Sequence, residues 1–99
     1  MTVKTEEAIA REAREDFGNR INRTWVMKNK AAEVLGYHEK SIRNFVNEGR
    51  LTGYHDKQGY HVEILSMATF LYWKTSHLSR ELRYQIVHEL FSTHGLLRK

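Results

Sequence analysis

The eighteen residues from Lys28 to Phe45, KNKAAEVLGYHEKSIRNF, restrict the possible folds more than any other part of the chain. Ala31 and Ala32 are small enough to let a second helix approach closely. Val34 and Leu35 add apolar packing, and Gly36 can adopt the left-handed turn that side-chain-bearing residues avoid. Ile42 and Phe45 then return to the same core. This is the spacing of a helix-turn-helix, although an ordinary helical hairpin uses the same small residues and the same glycine.

The residues that follow favour the first option. Gly49 can close the second helix in a left-handed cap, and Arg50-Leu51 leads to Tyr54-His55, the turn Asp56-Lys57-Gln58-Gly59, and Tyr60-His61-Val62. Two short aromatic-bearing runs around a polar turn ending in glycine read as a β-hairpin. Helix, turn, helix, hairpin is the order of a winged helix-turn-helix, in which the second helix enters the major groove and the hairpin lies along the DNA backbone. A plain helical hairpin has no use for the wing.

Ala31-Ala32-Glu33-Val34-Leu35-Gly36, Ser41-Ile42-Arg43, Asn47-Glu48-Gly49-Arg50-Leu51, Gly59-Tyr60-His61-Val62 and the apolar run Ile64 to Leu71 occur in that order. Together they resemble the compact winged-helix group shared by phage excisionases and the DNA-binding end of MerR-type regulators. The resemblance covers roughly residues 25 to 73. It implies that Lys40, Arg43 and Asn44 of the second helix touch DNA, and that Lys57 and its neighbours at the wing tip touch phosphate. The expected DNA-contacting set, filled out with the basic and polar residues around those positions, is Lys28, Lys30, His38, Glu39, Lys40, Ser41, Arg43, Asn44, Asn47, Arg50, Lys57, Gln58 and His61. Two positions depart from the family pattern. His38 enters the second helix where a serine or threonine cap is usual, and His61 stands where the family often has arginine, which weakens a phosphate contact above the histidine pKa.

Ninety-nine residues make one domain with a single modest core. The chain has no cysteine, so it has neither a disulfide framework nor a thiolate metal site. It contains no apolar run approaching the roughly 18 residues of a membrane span. Its N-terminus is acidic rather than leader-like, and the expectation is a soluble, cytoplasmic protein. The net charge of +4 is modest, so its distribution matters more than its sum. Positions 1–19 carry three basic against five acidic residues, positions 20–62 eight against four, and the remainder five against three. Positive charge gathers where the DNA-reading unit is expected, although +4 alone would favour a solvated mixed-charge surface.

Along the chain the pattern predicts five helical segments and one hairpin. Thr5 to about Asn19 places Ile9, Ala13 and Phe17 on one stripe, with Glu6 and Glu7 in the first turn, where a helix favours acids. Trp25-Val26-Met27 is either a strand edge or an anchor for the motif. Leu65 to about Lys74 is apolar enough to be a helix packed beneath it. Ser79 can cap a last helix that runs to about Thr93, before Gly95. On that helix Leu78, Leu82, Ile86 and Leu90 form one stripe, expected to close the core, while Tyr84, Val87 and Phe91 form another. Either the N-terminal helix covers both stripes, or the second stripe is an oligomerisation surface for another copy.

A catalytic reading does poorly. His55 and His61 flank a turn and His88 and His94 are six apart, so neither pair has the i, i+4 spacing of a helical zinc pair. No phosphate-cradling glycine loop or nucleophile elbow is present. The expected class is mainly α with a small β-hairpin: a single domain over 1–99 comprising an N-terminal helical extension (1–24), a winged helix-turn-helix core (25–73) and a C-terminal helix (74–99). The expected function is sequence-specific binding of double-stranded DNA, as a phage or mobile-element excisionase or a small transcriptional regulator. No cofactor, metal or membrane partner is expected; self-association and contact with an integrase or recombinase are. The alternative is a protein-interaction module, such as an antitoxin or segregation adaptor, with secondary DNA contact.

Overall fold

In a computed structural model that describes residues 5–99, the chain forms five helices and a small antiparallel sheet. The first four positions of the expected N-terminal extension lie outside the described residues. Helix α1 (Glu6–Phe17) starts where Thr5 accepts a hydrogen bond from the Ala8 backbone N–H at 3.2 Å. Its Ile9, Ala13 and Phe17 are buried, as their four-residue spacing predicts. Strand β1 (Trp25–Met27) runs directly into α2 (Lys28–Leu35), and α3 (Glu39–Asn47) follows after a turn at Gly36. Gly36 has φ 76°, the left-handed conformation that the sequence required of it, and its N–H donates to the Ala32 carbonyl. Ala31 and Ala32 are buried between the two helices. His38 stands at the N-cap of α3 and offers no side-chain cap, so the first N–H groups of that helix remain open.

The sheet has three strands rather than the two of a simple hairpin. β2 (Gly53–Asp56) and β3 (Gly59–Glu63) form the hairpin, and β1 adds to the other side of β3, giving the order β1-β3-β2. Val26 and Gly53 both lie opposite Val62 and share its inward face. Trp25, Met27, Tyr54 and His61 alternate onto the outward face. Gly53 is needed for the close approach: a Cβ there would lie 2.4 Å from the His61 carbonyl oxygen and 3.2 Å from the Val46 side chain. Ser66 fixes the next junction, accepting from the Thr52 N–H at 3.0 Å and donating to the Glu63 carbonyl at 2.7 Å.

α4 (Ile64–Lys74) is the central element; it packs most extensively on α1 and also meets α2, β3 and α5 (Arg80–Thr93). Ser79 caps α5 through the Leu82 N–H at 3.3 Å. Here the sequence reading must be corrected. Val87 and Phe91 are fully buried, with Phe91 against Phe17, whereas Leu82 and Ile86 are exposed. Tyr84 also turns inward and stacks on Phe17 at 5.1 Å between ring centroids. The stripe expected to be spare is therefore core, and the middle of the stripe expected to be core faces solvent. Arg83 shares this inward face: it is almost completely buried in line with Val87 and Phe91, 3.0 Å from Glu12 and over the Tyr72 ring. Beside it, Asp16 accepts from the Tyr72 hydroxyl at 2.7 Å and from Arg80, joining α1, α4 and α5. Beyond α5 the tail returns to the loop after α1: Leu96 is buried, the Asn22 N–H donates to its carbonyl, and the Arg98 N–H donates to Arg20.

Candidate nucleic-acid interface

α3 is strongly amphipathic. Ile42 is completely buried and Phe45 and Val46 are half-buried, so Lys40, Arg43, Asn44 and Asn47 form one exposed stripe at i, i+3, i+4 and i+7. Two cations and two amides carry the donors and acceptors that can read base edges and phosphates. Glu39 begins the helix, where its carboxylate complements the dipole, and lies 3.8 Å from the Lys28 ammonium. Lys28 also lies 5.6 Å from the centroid of the Tyr60 ring, which makes it a bridge between the start of α3 and strand β3. Ser41 is half-buried and His38 is exposed at the helix entrance.

At the hairpin turn Lys57 and Gln58 are exposed. The Asp56 carboxylate organises the turn, accepting from the Gln58 N–H at 2.9 Å and lying 2.9 Å from the His61 ring nitrogen. The hydrogen bond to His61, helped by the Gln58 N–H, holds the Asp56 carboxyl below the ordinary carboxylate range. His61 is thereby engaged. Its ring also stacks on Tyr54 at 4.5 Å, on the sheet face opposite Tyr60.

Three of the expected residues lie apart from the α3 stripe and the hairpin turn. His61 is one. Arg50 is another: it turns away from the α3 stripe, with its guanidinium 5.6 Å from the Trp73 ring centroid, and borders a groove formed with α1 and α4. Lys30 is the third; it lines a depression with Arg23, Trp25, Met27, Asn29 and His61 on the outer side of the sheet. Among the described residues Lys30, Lys40, Arg43 and Lys57 enter no ion pair, whereas Lys28, Arg50, Arg80 and Arg83 each have an acidic neighbour.

Sequence reasoning missed Trp25 and Tyr54, which are 37% and 43% exposed on the outer sheet face. Period-two alternation along β1 and β2 was the available signal, but the partner strand that puts the two rings side by side is not legible locally. Among the described residues no three histidine or acidic side chains gather as a metal-sized set, and no helix is long and apolar enough to cross a membrane. Compared with family models, curated proteins and solved structures, the chain has no significant match.

Proposed function

We propose that this chain is a sequence-specific double-stranded-DNA-binding protein of winged helix-turn-helix type. α3 is the reading helix, and the β2–β3 turn clamps the backbone. The observation that carries this reading is the stripe Lys40, Arg43, Asn44 and Asn47, exposed along one face of α3 with its two cations unpaired. The element order from β1 through α4 supports it, because a strand, two helices joined at a tight turn and a returning hairpin make one rigid platform for a helix in the major groove. The sequence resemblance to excisionases and MerR-type regulators points the same way. Within that class the output is either bending of an attachment site for a recombinase or occupation of a promoter, both built from phosphate clamping, base reading and DNA deformation.

The test begins with a duplex obtained by in-vitro selection. Lys40→Ala and Arg43→Ala should leave the circular dichroism spectrum unchanged. Whichever residue meets a base edge should lose on the order of 1–3 kcal/mol of binding at one position of the site. Lys57→Ala should weaken all duplexes alike and lower the salt slope by about one ion. Unchanged affinity in both α3 variants would remove that helix as the reader.

A further inference from the structure

The duplex reading leaves one built surface unused. Trp25 on β1 and Tyr54 on β2 lean together over β3, with ring centroids 4.9 Å apart at an interplanar angle of 86°, and His61 stacks on Tyr54 from beneath the same cluster. Both outer rings remain well exposed, at 37% and 43%. Beside them runs the depression lined by Arg23, Asn29, Lys30 and the edge of Trp25. No carboxylate lines it, and neither Arg23 nor Lys30 has an acidic neighbour within ion-pair distance among the described residues. Two acids share this face: Asp56 is held by His61, and Glu63, opposite Trp25, borders the adjoining depression together with Arg23 and Arg98, at ion-pair distance from neither.

Exposed rings beside unpaired cations are the two components of a single-strand platform, in which bases stack on the rings while ammonium and guanidinium groups follow the phosphates. A duplex hides its base faces and cannot use such rings. We infer that the outer face of the β1-β3-β2 sheet binds single-stranded DNA, with Trp25 and Tyr54 stacking on bases and Arg23 and Lys30 holding phosphates. The charge of the depression is what selects a polyanion over a protein segment as its occupant. This site is distinct from the α3 stripe, and the two are separable by mutation.

The full-length chain should be titrated with fluorescein-labelled oligothymidylate at low salt, by anisotropy and by tryptophan emission. Binding should quench Trp25. Trp25→Ala and Tyr54→Ala should each weaken binding about tenfold, the scale of one lost base–ring stack. Trp25→Phe should recover most of the loss, and Arg23→Ala should lower the salt slope by roughly one ion. Trp73→Ala, on a ring beside Arg50 and away from this sheet, should leave the affinity unchanged and the remaining Trp25 emission still quenched on binding. The loss in Trp25→Ala and Tyr54→Ala is read against the unaltered protein on oligothymidylate alone, so failure of the duplex reading would leave this result intact. Thermal melts of the Trp25 and Tyr54 variants show whether a loss is local. Three results would overturn the inference: no oligothymidylate binding by the unaltered protein, equal binding by the folded Trp25→Ala variant, or self-association in sedimentation that depends on Trp25.

Discussion

At the scale of single residues, the β2–β3 hairpin is placed by a glycine that carries no functional group. Gly53 lets β2 pass close to both Val46 of α3 and the His61 carbonyl, where any Cβ would lie 2.4 Å from backbone oxygen. The backbone cannot yield as a side-chain end can, so the strand must shift. Gly53→Ala should therefore destabilise the domain by about 1–3 kcal/mol, the range for overpacking a closed site. It should also weaken duplex binding more than the stability loss explains, because the hairpin moves relative to α3. Urea titration and gel shift at a temperature where the variant is folded test both parts. A variant as stable as the parent would mean that β2 has room the geometry does not give it.

Among the elements, α5 shows how a charged core residue misleads pattern reading. Leu78, Leu82, Ile86 and Leu90 are all apolar and look like the buried stripe, but the helix turns its Arg83, Val87 and Phe91 face inward, where Val87 and Phe91 join the core and Arg83 meets Glu12 of α1. The stripe expected to be spare is therefore core, while Leu82 and Ile86 face solvent and Leu90 still packs against the core. Val87→Asn with Phe91→Asn should unfold the protein, since each large-to-small or polar change at a fully buried site costs about 2–5 kcal/mol against a modest total. Leu82→Gln with Ile86→Gln should stay folded with a nearly unchanged melting temperature. Any self-association through this helix rests on Leu82 and Ile86. Circular dichroism melts separate the two pairs, and titration on one-site and multi-site DNA shows whether the second pair alters cooperativity.

For the whole molecule, the terminal helices brace the unit formed by α2, α3 and the sheet. α1 lies against α4, α5 against both, and the tail closes on the loop that leads into β1. Asp16 sits where three helices meet. Partial burial pushes its carboxyl up, yet hydrogen bonds from Arg80 and Tyr72 outweigh that effect and hold it below the usual carboxylate value. A folded-state pKa lower than the unfolded one adds stability that is present above the unfolded value and lost as pH falls through the folded one. Asp16→Asn should therefore melt below the parent near neutral pH, and the gap should close as pH falls through and below the ordinary carboxylate range, where the parent carboxyl also takes up its proton. A gap that stays constant across that range would mean Asp16 contributes by shape alone.

Much of this was determined by local sequence. The caps at Thr5 and Ser79, the left-handed turns at Gly36 and Gly49, the inward face of α1 and the outward stripe of α3 depend on interactions within a few residues, and periodicity exposes them. Tertiary structure alone decided what depends on distant partners. β1 became a third strand because β3 offered it an edge, Arg83 could be buried because Glu12 was opposite, and His61 was drawn to Asp56 and Tyr54. Trp25 and Tyr54, far apart in sequence, became neighbours across β3. A side chain's own spacing fixes which face of its element it occupies; whether that face meets water or protein is settled by a partner that the local pattern does not contain.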